Sequence, residues 1–256
     1  MTYKLINRFS FLAGIAFLLL FLFKNWPFWP VILVILAYAL CMLVLSTNVR
    51  FNFFVKSYNS RKDFTEKKVA LSFDDGPTTI SLELLDILDK FNVKAAFFCI
   101  GKEIEKNPDI FREIIKRGHI VGNHTYSHTK KMGFISSEKI YEEIIHCDKV
   151  AKKIGGVQMK LFRPPFGIIN PKTKKALQRS GHTVIGWSIR PYDAITKSND
   201  VILKRITRKV KSGDLILLHD NMPKTPAILE QLLVLLKQQN FGTIRPDKLF
   251  EIDAYN

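Results

Sequence analysis

Apolar residues run almost unbroken across residues 9–46, where Lys24 is the only charge. The run divides at KNWPFWP (24–30), and its halves, about 9–23 and 28–46, read as two short helices able to cross a bilayer, which takes about 20 apolar residues. Trp26 and Trp29 suit a membrane interface, and Pro27 and Pro30 break the helix between the halves. A cleaved signal peptide is the competing reading. The second apolar run, and the lack of a small-residue cleavage site before Lys24, argue for an anchor instead.

Beyond residue 68 the pattern changes to short apolar runs alternating with helical periodicity. VALSF (69–73) precedes a helical stretch over 81–91 with Leu84, Leu85 and Leu88 on one face, and AAFFCI (95–100) precedes the helix predicted in NPDIFREIIKRG (107–118). HIVGNH (119–124), a long amphipathic helix over 136–154, LFRPPFG (161–167) and a helix in PKTKKALQRSG (171–181) continue the alternation. TVIGWSI (183–189), a helix near 200–211, DLILLHD (214–220) and a last helix over 223–240 complete it. Runs that are apolar throughout predict parallel strands buried on both faces, and five or six such units fit a distorted (β/α) barrel.

Charge sharpens the division. The net charge is +16, and residues 1–68 hold nine Lys/Arg against Asp63 and Glu66. The expected organisation is a membrane anchor over 1–48, a basic juxtamembrane linker over 49–68 suited to anionic lipid, and a catalytic domain over 69–256. No nucleic-acid-binding motif accompanies the charge, so no nucleic acid is expected. Cys41, Cys99 and Cys147 show no metal or disulfide spacing and read as packing residues.

The ends of the apolar runs carry the candidate chemistry. The first ends in Asp74-Asp75, HIVGN runs into His124, LF leads to Arg163, and LILL ends in His219. In parallel βα folds the strand C-termini share one face, where sites gather. His124 and His128 have i,i+4 spacing, which on one helical turn aims both imidazoles the same way; with Asp75 they make a three-ligand set for one divalent cation. Such a metal activates water, and adjacent Asp74 is placed as general base. His219 could supply a proton to a departing amine, Arg163 could pair with Asp74, and Asp193 could orient His219. The ordinary alternatives are a backbone-satisfied histidine at 219, a surface salt bridge at 163 and a turn aspartate at 193.

SFDDG, HTYSH, RPPFG and LILLH, in this order, resemble the motifs of the polysaccharide deacetylase (NodB homology) family across about 69–220. The resemblance implies a barrel of that type using Zn2+, or Co2+ or a similar ion, to remove N-acetyl groups from amino sugars. It makes Asp74 the base, Asp75, His124 and His128 the metal ligands, Arg163 the partner of the base and His219 the acid. The Phe166 backbone N–H would help bind the oxyanion, Leu217 would line the acetyl methyl pocket, and Pro165, Trp187 and Arg190 complete the expected substrate-binding set. One motif departs: where the family often has WSxDxxDW, this chain reads WSIRPYDA (187–194), with Arg190 and Ala194 replacing an acid and a tryptophan. Arg190 would then face an anion such as a phosphate, or form a salt bridge.

The expected substrate is an N-acetylated amino sugar, polymeric or lipid-linked, and membrane lipids are the other expected partner; no protein partner is inferable. A multi-pass protein of the cell (inner) membrane is expected. Lys4, Arg8, Arg50, Lys56, Arg61 and Lys62 flank the apolar runs on the side of the termini, so the positive-inside tendency favours a cytosolic domain over an extracytoplasmic one. A silent sugar-binding protein, a deformylase and an O-deacetylase on the same fold are the alternatives.

Overall fold

The structure, a computed structural model, describes residues 3–255. Residues 1–2 and 256, the outermost ends of the expected anchor and catalytic segments, lie outside the described residues. Two helices come first, α1 (Tyr3–Lys24) and α2 (Trp29–Ser46). α1 starts earlier than the apolar pattern implied, because Lys4, Asn7 and Arg8 carry nothing that breaks a helix, and Asn7 Oδ1 accepts a hydrogen bond from Tyr38 of α2 at 3.0 Å. Phe9, Leu12, Leu36 and Leu40 stand exposed. Apolar surface on this scale marks a membrane or interaction face, and both helices are long and apolar enough to cross a bilayer. They suggest a membrane anchor or a signal sequence.

The segment expected as a linker is instead folded onto the domain. After a 3-10 turn at Val49–Phe51 comes β1 (Ser57–Tyr58). Val49 and Phe54 are buried, and the Ser57 hydroxyl donates to the Val49 carbonyl at 2.8 Å. Isolated apolar residues among many charges gave no periodicity to read, yet Val49 and Phe54 fill places in the core.

The remaining elements are β2 (Lys68–Asp74), α3 (Thr79–Lys90), β3 (Ala96–Cys99), α4 (Gly101–Lys106), α5 (Pro108–Lys116), β4 (Ile120–Asn123) and α6 (Ser137–Gly155). There follow β5 (Leu161–Phe162), α7 (Pro171–Ser180), β6 (Thr183–Ile185), α8 (Asn199–Thr207), β7 (Leu215–His219), α9 (Thr225–Gln238), β8 (Gly242–Thr243) and α10 (Pro246–Phe250). Caps set several helix starts: the Thr78 hydroxyl accepts from Ile80 N–H, and Asn170 Oδ1 accepts from Lys172 and Thr173 N–H. α6 and α7 stop at glycines in the left-handed conformation.

All strand pairings in the sheet are parallel, in the order β1-β6-β5-β4-β3-β2-β7, with β8 added to β2. The sheet curls until its ends nearly meet: Ile189, beyond β6, bridges to Ile216 of β7, and Leu217 N–H donates to the Ile189 carbonyl at 3.0 Å. The result is the expected distorted (β/α) barrel.

Alternation along the strands sorts the two faces. Leu71, Phe73, Phe97 and Leu218 point out to the helices, whereas Ala70, Phe98, Leu161 and Leu215 point inward, where Leu249 and Phe250 of α10 plug the lower end. Two residues further along the same inward faces lie Ser72, Arg163 and Leu217, and two beyond those Asp74 and His219. The interior thus passes from apolar at the bottom to charged at the top.

Candidate active site

Asp74 and Asp75 sit at the turn that ends β2 and take separate directions. Asp74 is buried, and its Oδ1 accepts from Arg163 Nη1 at 2.7 Å. Arg163 is wholly buried and uses four of its five N–H donors: Nη1 also donates to Ser72 Oγ, Nε to the Ile185 carbonyl and Nη2 to the Gly186 carbonyl, with Phe98 stacked 4.0 Å from its guanidinium carbon. A buried charge held by so many partners keeps one position and one protonation state.

Asp75 turns the other way, at φ 84°. Its Oδ1 lies 3.5 Å from His124 Nε2 and 3.5 Å from His128 Nε2, and the three ligand atoms fall within 4.8 Å of one another. This set fits a divalent cation: two imidazoles and one carboxylate converge with open positions towards the mouth. His124 Nδ1–H donates to the Arg163 carbonyl at 2.7 Å, which leaves Nε2 as the free lone pair.

The expected helical turn between the two histidines is not there. His124 to Thr129 form a loop after β4, with Thr125 at φ 66° and His128 at φ 49°. The loop is pinned by Thr125 N–H to Asn123 Oδ1, His128 N–H to Thr125 Oγ1, and Ser127 N–H to Glu143 on α6. Two left-handed residues fold the chain back over the strand end, and this, not helical spacing, brings the rings to 4.8 Å between centroids.

Across the mouth, His219 pairs in register with Asp74. Its Nδ1 lies 2.9 Å from Asp193 Oδ1, and its backbone N–H donates to Asp193 Oδ2 at 2.8 Å. Asp193 is therefore a clamp on both the ring and the chain of residue 219. Burial alone would lower the His219 pKa, but the Asp193 hydrogen bond and the charges of Asp193, Asp74 and Asp75 raise it to about 9. Burial likewise opposes ionisation of Asp75, yet contact with His124 and the charges of His124, His128 and His219 hold it well below the usual carboxylate range. Burial, with the His124 charge beside it, lowers His128 to about 4.

The remaining expected residues line the same mouth. Phe166 stands at φ 60° in the turn after β5, exposed, with its ring 4.8 Å from His128. Gly167 follows at φ +75°, and a Cβ there would come within 2.6 Å of the Trp187 ring, so only glycine fits. Pro165, Trp187 and Leu217 are buried behind it. Arg190 lies to one side, over the Trp187 and Tyr192 rings at 5.3 and 5.4 Å. Left-handed backbone at Asp75, Thr125, His128, Phe166 and Tyr192 concentrates around this mouth, as strain tends to at functional sites.

Two supports were not singled out from the sequence. Asn221 Nδ2 donates to Asp75 Oδ2 at 3.2 Å, steadying the carboxylate that faces the histidines. Asp220 is buried beneath the pair, accepts from Ser81 Oγ at 2.6 Å and touches Gly76, where a Cβ would lie 1.9 Å from it. Burial, with Asp75 and Asp74 near, raises its pKa to about 7. The polar HDN run after an apolar strand was the only signal in the sequence.

A sequence model described as polysaccharide deacetylase matches residues 61–185. A peptidoglycan-N-acetylglucosamine deacetylase of Bacillus cereus is 34% identical over 190 residues, covering 72% of this chain and 88% of that protein. The chain belongs to the polysaccharide deacetylase family. It is thus a member of a hydrolase family whose deacetylases are metal-dependent, and its Asp75, His124 and His128 form a group that could hold a metal ion. The peptidoglycan-N-acetylglucosamine deacetylase PgdA of Listeria monocytogenes is 31% identical over 73% of this chain, which spans only 39% of that longer relative. Among solved structures, the Bc1960 peptidoglycan N-acetylglucosamine deacetylase in complex with 4-naphthalen-1-yl-N-oxidanyl-benzamide superposes with a TM-score of 0.72 at 27% identity, covering 78% of this chain and 94% of that one.

Proposed function

We propose that this polysaccharide deacetylase is a membrane-anchored N-deacetylase that removes acetyl groups from N-acetylated glucosamine units of peptidoglycan or of a related lipid-linked glycan. The observation that carries the reading is the division of labour at the end of β2. Asp75 lies 3.5 Å from each of two histidines, while Asp74 is held by Arg163 at 2.7 Å and lies farther out, 3.9 Å from His124.

A divalent cation, Zn2+ or a similar ion, held by Asp75, His124 and His128 would polarise the amide carbonyl and lower the pKa of bound water towards about 7. Asp74 takes the proton of the attacking water, and the arginine clamp keeps its second oxygen aimed at the mouth. As the new C–O bond forms, the Phe166 N–H donates to the developing oxyanion, a role its outward turn at φ 60° allows. His219, kept protonated by Asp193, gives its proton to the amine nitrogen as the C–N bond breaks, and acetate and free amine result. Leu217, one register step below His219, would receive the acetyl methyl.

The domain arrangement follows: an anchor over 1–48, and a catalytic domain that takes in 49–68 as well as 69–256. Relatives named for peptidoglycan favour a domain facing outwards, whereas the basic flanks favour the cytosol and a lipid-linked sugar. A reporter fused to the C-terminus, active in only one compartment, separates the two. Acetate release from N-acetylglucosamine oligomers and from a lipid-linked acetamido sugar, measured with metal and with chelator, tests the chemistry. Silence of the metal-loaded protein on every acylated sugar would instead identify a non-catalytic sugar-binding protein.

A further inference from the structure

Beside the end of α2, with Trp187 in its wall, lies a second cavity, of about 370 Å3, within the size range of ligand pockets. Four cationic side chains line it: Arg50, four residues past the end of α2, then Arg190, Arg205 and Lys209. Among the described residues no carboxylate forms an ion pair with any of them, although Arg61, Arg163, Arg179 and Arg245 each have one. Neutral acceptors hold two in place: Arg50 Nη1 donates to the Ser188 carbonyl at 3.3 Å, and Arg205 Nη1 to the Pro191 carbonyl at 3.0 Å and to Thr196 Oγ1 at 2.6 Å. The Arg190 guanidinium lies over Trp187 and Tyr192, while its Nε is buried with no hydrogen-bond partner among the described residues.

Four like charges around one small cavity repel each other, and a buried guanidinium nitrogen without an acceptor adds a further cost. An anion with several oxygens relieves both at once, and arginine forks match phosphate in particular. The position adds the source. The cavity opens within a few residues of the end of α2, at the depth of lipid headgroups if that helix spans a bilayer.

We propose that this cavity binds the phosphate group of a membrane lipid. The proposal rests on α2 spanning a membrane and is independent of the deacetylase chemistry, so acetate release and lipid binding can fail separately. The Trp187 indole in the cavity wall lies 5.3 Å from the Arg190 guanidinium carbon and 5.9 Å from that of Arg163, and so stands close to both the cavity's cations and the Arg163–Asp74 pair.

The test uses the full-length protein in an uncharged detergent. Dihexanoyl phosphatidylglycerol, dodecyl phosphate, inorganic phosphate and dihexanoylglycerol are titrated, with retention read by native mass spectrometry and melting temperature. The two phosphate-bearing lipids should bind, weaken as salt is raised, and bind at least about tenfold more weakly to the Arg50→Gln/Lys209→Gln double variant and, separately, to Arg190→Gln. Each variant removes charge from a cluster of repelling cations, and Arg190→Gln also removes a buried donor without a partner, so the ligand-free melting temperatures should stay level or rise. Inorganic phosphate binding as tightly as the lipids would overturn the lipid part and leave a free-phosphate site. Equal binding of dihexanoylglycerol, or undiminished binding by both variants, would overturn the whole.

Discussion

A buried histidine flanks each end of β4, and the protein shifts their pKa values in opposite directions. His119, at the lower end, accepts a hydrogen bond at Nδ1 from Ala95 N–H. Burial, reinforced by the charge of Lys94, lowers its pKa to about 4, so it stays neutral. His124, at the upper end, is just as buried, yet Asp74 and Asp75 more than offset the burial and raise its pKa. Five residues of one chain segment therefore separate a structural imidazole from a functional one. What differs is the company: cations and backbone below, carboxylates above. The C-terminal ends of parallel strands gather the groups that would be costly anywhere else in the barrel.

Removing a ligand at the upper end should break this contrast most completely. His128→Ala leaves one histidine and one carboxylate, and bound metal by elemental analysis and acetate release should fall together, activity by more than about 10²-fold. Asp74→Asn should separate the two readouts: metal is retained while kcat drops by about 10²- to 10⁴-fold, the scale of a general base. Loss of metal in this variant would show that the aspartates do not divide their roles as proposed.

The His219 contact should set the alkaline limb of the rate profile. Its pKa is raised from 6.5 to about 9, so its contribution to stability is present below pH 6.5 and lost as pH rises through about 9; its capacity as an acid is lost over the same rise. A bound cation pulls that limb lower. Asp193→Asn should move the limb down by about one pH unit or more, with kcat affected more than KM.

The smallest effect belongs to the lower end. His119→Phe leaves Ala95 N–H buried without its acceptor and should cost about 1–3 kcal/mol in denaturant unfolding, with metal content and kcat unchanged. Its acid dependence should change too. A pKa lowered from 6.5 to about 4 gives full stability above pH 6.5 that is lost as pH falls towards 4, on the order of 3 kcal/mol. The variant should lack that loss. Unchanged acid sensitivity would mean that His119 is not the group responsible.

The upper end of the barrel was legible because β2, β4, β5 and β7 are apolar runs that stop at titratable residues, and Asp74, Asp75, His124, Arg163 and His219 all stand at such stops. The family motifs added Phe166 and Leu217, which no local pattern marks. Less legible were features that depend on backbone turns or on single residues. The spacing of His124 and His128 fits a helical turn, but Thr125 and His128 adopt left-handed backbone that spacing cannot reveal. Asn221 reaches Asp75 across 146 positions of chain. β1 and β8 have two residues each, too few to show a period, and α10 seals the barrel with Leu249 and Phe250 alone. His119 looked like any polar residue at the start of an apolar run.

The close junction between α2 and the barrel limits where the enzyme can work. The Ser46 carbonyl, the last of the helix, accepts from Ile169 N–H at 3.0 Å, two residues beyond the glycine of the Phe166 turn, and Val49 is already buried. No slack chain lets the barrel drift or swivel. If α2 is embedded in a bilayer as proposed, the catalytic mouth would ride at one fixed altitude and reach only substrates that pass within a thin layer of the lipid, whichever side it faces.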